Sequence, residues 1–60
     1  MTENDYIICT NLAKVRIARQ ACADMLTVTE RDEADRLTAY KALTRMMERL
    51  EKLVEEQTDA

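Results

Sequence analysis

The chain has 60 residues with a formal net charge of −3, and it contains no histidine, glycine or proline. A chain this short buries too small a fraction of its surface to be stable without a staple or a partner. Zinc sites use clusters of cysteine and histidine, and the tight turns of β-hairpins use glycine, so this composition argues against a zinc-stapled domain and against strands. It favours an all-α protein that is stabilised by association.

The first predicted helix runs from about residue 3 to about residue 26. Thr2 provides a hydroxyl cap ahead of Glu3 and Asp5, whose negative charges suit the positive end of a helix dipole. The apolar positions recur at steps of three and four, as expected for one face of a helix. They are Ile8, Leu12, Val15, Ala18, Cys22, Met25 and Leu26.

The helical pattern breaks at about residues 27–31, where we predict a turn. Thr27, Val28 and Thr29 are β-branched, and Thr27 with Glu30 fits a reciprocal capping box. The chain would then fold back on itself as an antiparallel helical hairpin. A single kinked helix is the alternative, because no glycine enforces the break.

The second predicted helix runs from about residue 30 to about residue 57 and carries two apolar seams. The Tyr40 seam is Tyr40-Leu43-Met47-Leu50-Val54, and the Met46 seam is Ala39-Leu43-Met46-Leu50-Leu53. A coiled coil needs one seam, whereas a helix with two neighbours in a bundle needs a wider stripe. The hairpin supplies one neighbour, so we expect the second from another chain. We predict one domain, residues 1–60, that forms a dimeric four-helix bundle or a higher oligomer.

Arg19 interrupts the apolar stripe of the first helix, where a charged group needs a partner. In one interpretation, its stem follows the edge of the core and its head reaches water or Asp35. In the other, Arg19, Arg36 and Tyr40 converge on an anion or an acidic partner residue.

A second, smaller apolar line lies on the opposite side of the first helix. It consists of Ala13, Ile17 and Ala21, spaced by four residues. An isolated exposed isoleucine is ordinary on a protein surface, but a line of this kind suits packing against a further helix. Ala13, Ile17 and Ala21 are therefore our candidates for contact with a protein partner.

Basic residues are concentrated in two segments, 6–23 and 36–47, each with a net charge of +3 and each bordered by acidic segments. A hairpin would bring the two segments together as a basic band that attracts anions. The anion-binding candidates are Lys14, Arg16, Arg19, Arg36, Tyr40, Lys41 and Arg45. A plain solvated surface is the alternative. Duplex DNA is disfavoured as a partner, because the acidic ends would repel a long polyanion.

The sequence offers little for catalysis, since it lacks a histidine base, a serine nucleophile and a glycine-rich phosphate loop. We predict no enzymatic activity, no cofactor and no metal site. Cys9 and Cys22 lie too far apart along one helix to form a disulfide with each other, so we expect free thiols, with an intermolecular disulfide as the alternative. The absence of a long apolar run and of a basic leader predicts a cytoplasmic protein without membrane contact.

The helical hairpin, the half-core that calls for a dimer and the acidic turn Arg31-Asp32-Glu33-Ala34-Asp35 resemble Rop-type proteins. These are small plasmid-borne helical hairpins that dimerise into four-helix bundles and bind paired RNA loops. The resemblance is one of architecture and covers most of the chain. It implies an RNA-binding face on the first helix, for which Asn11, Lys14 and Gln20 are the matching candidates. That family carries an aromatic on this face, and here the first helix has none beyond Tyr6.

Three functions fit these features. The first is a non-enzymatic binding protein, an inhibitor or regulator of phage or plasmid type that acts by protein–protein contact; it rests on analogy with other small acidic helical proteins. The second is an anion-binding module for RNA or a small nucleotide signal. The third is a structural assembly subunit. Added salt separates the first two, because counterion release weakens anion binding steeply.

Overall fold

The computed structural model describes residues 2–58, which form two α-helices in an antiparallel hairpin. Helix α1 spans Glu3–Asp24 and helix α2 spans Glu30–Thr58, and no strand occurs within the described residues. Contacts between the helices run in opposite directions along the chain: Cys22 meets Arg36, Arg19 meets Thr44 and Arg16 meets Glu51. The predicted all-helical hairpin is confirmed, and the alternative of a single kinked helix is wrong.

A reciprocal capping box starts α1. The Thr2 hydroxyl accepts a hydrogen bond from the Asp5 backbone N–H at 3.2 Å, and the Asp5 carboxylate accepts one from the Thr2 backbone N–H at 3.0 Å. The second bond lowers the pKa of Asp5 below its usual range, because it stabilises the ionised carboxylate. The predicted Thr2 cap is therefore confirmed, and Asp5 completes it as a capping box, which was not predicted from the sequence.

The connection between the helices, residues 25–29, begins earlier than the predicted turn at about residues 27–31, and its cap differs. Helix α1 ends at Asp24, before the predicted residue 26, and the backbone of Met25 is already extended. At the start of α2, the Thr29 hydroxyl accepts a hydrogen bond from the Asp32 backbone N–H at 3.1 Å. The predicted pairing of Thr27 with Glu30 is wrong, because the Thr27 hydroxyl donates to the Glu33 carboxylate at 2.6 Å.

Only three apolar side chains in the described part of the chain are buried, and all belong to α1: Leu12, Val15 and Cys22. The residues that α2 contributes, Tyr40, Leu43, Met47, Leu50 and Val54, are half-buried. The Tyr40 seam therefore faces α1. In the Met46 seam, Met46 and Leu53 remain 43% and 40% exposed. The hairpin alone thus builds half of a core.

Candidate functional site

One side of the hairpin carries an open apolar groove between the two helices. Its floor is formed by Val15 of α1 and Leu50 of α2, and Met46 and Leu53 extend it along α2. Asn11, Lys14 and Arg49 supply its polar border. The groove has a volume of about 450 Å³. Side chains of the Met46 seam line it, so this surface is available to a second helical neighbour.

A second hollow, which we call the turn hollow, lies at the connection between the helices. It includes Ala39, the residue of the Met46 seam that is nearest to the connection. Its apolar lining includes Met25, Leu26 and Val28. Leu26 and Val28 are each 94% exposed, the highest values among the large apolar side chains of the described residues. Exposed apolar surface of this extent is typical of a contact site.

The charges that border these two surfaces have opposite signs. Lys14 and Arg49 border the apolar groove, and Asp32 and Asp35 border the turn hollow. Within residues 2–58, neither Arg49 nor Asp35 has an ion-pair partner. This side of the hairpin therefore has unpaired positive charge along one half and unpaired negative charge near the connection.

Arg19 is satisfied on the other side of the hairpin. Its Nε donates a hydrogen bond to the Thr44 hydroxyl at 2.8 Å, and its guanidinium carbon lies 4.6 Å from the centroid of the Tyr40 ring. The Thr44 hydroxyl in turn donates to the Tyr40 carbonyl oxygen at 2.9 Å. A charge within the apolar stripe is thus accommodated by a cation–π contact and by a neutral hydrogen-bond acceptor. Asp35, the predicted acidic partner, is not the group that Arg19 contacts.

Two other predicted anion-binding residues already hold carboxylates. Arg16 pairs with Glu51 at 3.0 Å across the hairpin. Arg36 pairs with Glu33, which also accepts the Thr27 hydroxyl. The hydrogen bonds from Arg36 and Thr27 lower the pKa of Glu33 from its ordinary value of 4.5 to about 2, because they stabilise the ionised form. Glu33 in turn raises the pKa of Arg36.

The predicted basic band is consequently divided between different surfaces. Arg19, Tyr40, Lys41 and Arg45 line one shallow hollow together with Thr44 and Glu48. Lys14 lies on the opposite side, bordering the apolar groove. The division follows from helical geometry, since Lys14 and Arg16 are about 200° apart around α1 at ~100° per residue.

Ala13, Ile17 and Ala21, the predicted partner contacts, lie on the face of α1 that points away from α2. All three are exposed, and Ile17 is 71% exposed. They do not border the apolar groove or the turn hollow. The hairpin therefore offers two separate apolar surfaces, one on its groove side and one on the back of α1.

The two thiols differ in environment. Cys9 is exposed, whereas Cys22 is buried and its Sγ donates a hydrogen bond to the Arg36 carbonyl oxygen at 3.4 Å. No group of three carboxylates or thiols in the described part of the chain is arranged to hold a metal ion. Across residues 2–58, neither helix has an apolar stretch that is long enough to cross a bilayer.

Comparison of this chain with known protein families, with curated proteins and with solved structures finds no match. The interpretation of the surfaces therefore depends on their own chemistry. The prediction from sequence omitted Arg49 as a site residue. A signal for it exists, because Asp35, Ala42 and Arg49 are spaced by seven residues and so share one stripe of α2.

Proposed function

We propose that this protein is a non-enzymatic binding protein of the cytoplasm, an inhibitor or regulator of the phage or plasmid type that acts by protein–protein contact. The observation that carries the proposal is the exposure of Ile17 on the back of α1. Neither the contact with α2 nor the groove side uses this residue, so folding of the hairpin leaves it available. Ala13 and Ala21 flank it with small side chains that let a partner helix approach closely.

The same proposal includes assembly of the hairpin with a second copy into a four-helix bundle. The three buried apolar side chains among residues 2–58 are a small core, and the Met46 seam is left without a neighbour there. A second hairpin would cover that seam while the Ile17 face stays outside. The assembled protein would then present two copies of the partner surface, related by the two-fold axis of the dimer.

The experiment that tests partner contact places a photo-crosslinking amino acid at position 17, and a matched control places it at Lys52, which is also exposed but lies among charges. Both variants are irradiated in host cells, and the adducts are identified by mass spectrometry. We expect one foreign protein to be captured from position 17 and not from position 52. Adducts that contain only this chain, or the same adducts from both positions, would contradict the proposed partner surface.

A companion variant, Ile17→Asp, measures the energetic role of the face. Loss of a buried isoleucine side chain from a contact is worth roughly 2 kcal/mol, or about thirtyfold in dissociation constant. We expect that loss for the captured protein, with unchanged circular dichroism and unchanged mass of the assembly. Equal affinity of Ile17→Asp and the unaltered protein for the captured partner would contradict the proposal.

One observation favours a second candidate function, anion binding. Arg19, Lys41 and Arg45 line one hollow with Tyr40, and no carboxylate among residues 2–58 forms an ion pair with any of the three. RNA, the ligand that the resemblance to Rop-type proteins implies, and a nucleotide are the anions to test. Binding to this hollow should weaken steeply between low and moderate salt and should disappear in Lys41→Glu. The first function predicts little effect of salt, because apolar contacts do not release counterions.

A further inference from the structure

We infer that the groove side of the hairpin binds the groove side of a second copy in antiparallel orientation, with a two-fold axis that passes near Ala42 and places Asp35 of each copy beside Arg49 of the other. The inference rests on the proposed self-association and specifies its surface and symmetry. Three independent features of this side carry it: the order of charges, the position of the small residues and the position of the exposed apolar side chains.

The charges on α2 are arranged with opposite signs about one point. Asp35, Ala42 and Arg49 share a stripe and are each separated by ~10 Å along the helix axis. A two-fold axis that crosses the helix at Ala42 exchanges the positions of residues 35 and 49. Both residues are exposed and neither has an ion-pair partner within residues 2–58, so the exchange creates two ion pairs in each dimer.

The parallel dimer is the competing arrangement, and the same charges disfavour it. An axis along the hairpin would lay α1 of one copy over α2 of the other at the same height. Lys14 and Arg49 both border the groove and lie within about one helical turn of each other in height, so this arrangement brings cations close together and leaves Asp35 without a cation. Like charges that meet at an interface select against the arrangement that produces them.

The apolar side chains agree with the antiparallel arrangement. Leu53 is as far from Ala42 in one direction as Arg31 is in the other, so Leu53 of one copy lies at the height of the other copy's connection. That connection carries Met25, Leu26 and Val28, the exposed lining of the turn hollow. The apolar groove of each copy would therefore cover the turn hollow of the other.

Small side chains surround the proposed axis, which allows the helices to approach closely. Ala39 and Ala42 lie at this height on α2, and Ala18 lies near this height on α1. The Cα atoms span 47 × 14 × 13 Å. A broad side of these dimensions has an outline of about 650 Å² before side chains are counted, close to the roughly 800 Å² that each partner buries in a standard interface.

The decisive experiment reverses the two charges separately and together. Asp35→Arg and Arg49→Asp each place like charges together twice in the dimer, so sedimentation equilibrium should show a dissociation constant raised by about tenfold for each. The double variant restores both pairs and should recover the original value. An equal mixture of the two single variants should form more than the statistical share of mixed dimers, which native mass spectrometry counts after isotopic labelling of one variant.

Two controls keep the result specific. Lys41→Asp makes the same change of charge as Arg49→Asp, but Lys41 lines the hollow of Arg19 and Tyr40 and borders neither the apolar groove nor the turn hollow, so the dissociation constant should stay within about threefold. Ala42→Cys in a Cys9→Ser background should oxidise to a dimer that is linked through position 42 in both copies. Ala13→Cys in the same background places the thiol on the back of α1 and should not oxidise to a disulfide-linked dimer.

The outcomes separate this inference from the proposal on which it rests. A species with the mass of one chain at tens of micromolar overturns both. A dimer whose stability ignores the charge reversals, or which shows no linkage through position 42, overturns the antiparallel arrangement and leaves the assembly in place. Recovery by the double variant, together with preferential mixed dimers, supports the arrangement because a parallel dimer predicts neither result.

Discussion

Replacement of Leu12 by alanine tests how much of the stability depends on the small core between α1 and α2. Leu12 is 6% exposed and lies among the few buried side chains of the hairpin. Leucine-to-alanine changes in cores cost about 2–5 kcal/mol, and a narrow two-helix contact can partly collapse around the missing atoms, so we expect about 3 kcal/mol. A 60-residue chain has a total stability of roughly 3–9 kcal/mol. The change therefore removes a third or more of the free energy of unfolding.

The assay is thermal and urea unfolding followed by circular dichroism at one fixed protein concentration. A loss of about 3 kcal/mol corresponds to a decrease of roughly 12–24 °C in Tm for a chain of this size. Leu26→Ala is the matched control, because it deletes the same atoms from a side chain that is 94% exposed. In an isolated hairpin it should cost less than about 0.5 kcal/mol.

The comparison also reports on assembly. The cost of Leu12→Ala arises inside one hairpin, whereas any cost of Leu26→Ala must come from a second molecule that covers the connection. We therefore expect the Leu26→Ala effect on Tm to decrease as the protein is diluted. Equal decreases in Tm for the two variants in dilute, monomeric protein would refute the reasoning, because the hairpin alone buries Leu12 and leaves Leu26 exposed.

Three further predictions concern single contacts. Because the pKa of Glu33 is about 2 in the folded protein and its ordinary value is 4.5, its contribution to stability is fully present above pH 4.5 and is lost as the pH falls toward 2. In Glu33→Gln, the urea concentration at the unfolding midpoint should therefore depend less on pH between 4.5 and 2. The Arg16–Glu51 side chains are 56% and 42% exposed, so Glu51→Gln should cost less than about 1 kcal/mol, and unfolding in 0.5–1 M salt should show a smaller difference still. Cys9 should react with a thiol reagent in the folded protein, whereas Cys22 should react only after unfolding, as mass spectrometry of the labelled peptides would show.

The periodicity of the sequence was sufficient to predict the two helices but not the cap of the second. Thr27 and Thr29 are each followed three residues later by an acidic residue, Glu30 and Asp32, so both fit a cap. Local contacts decide between them, because Glu33 accepts the Thr27 hydroxyl and leaves Thr29 to cap α2. The sequence pattern alone does not show which of the two threonines caps α2, because it does not reveal the hydrogen bond between Thr27 and Glu33.

The candidate surfaces show a similar division between what periodicity reveals and what it omits. The two seams of α2 are equally apolar, so the sequence predicts a wide stripe without saying which seam faces α1. In the structure the Tyr40 seam faces α1, and Arg19 of α1 contacts Tyr40 and Thr44 on that side of α2. The two basic segments, 6–23 and 36–47, said less about where an anion could bind. A net charge counted along the chain combines residues such as Lys14 and Arg16, which point to opposite sides of the hairpin.

The angle between the two seams of α2 bears directly on the proposed bundle. Leu43 and Leu50 belong to both seams, whereas the residues that distinguish the seams, such as Met46 and Met47, are one residue apart, or about 100° around the helix. A helix at the corner of a four-helix bundle has two neighbours at about a right angle, so a stripe whose outer residues differ by about this angle suits such a corner. In α1, Asn11 and Ala18 are likewise each one residue before Leu12 and Arg19, which face α2. Because both helices turn a second stripe toward the same side of the hairpin, the two helices of a second copy can cover both stripes at once.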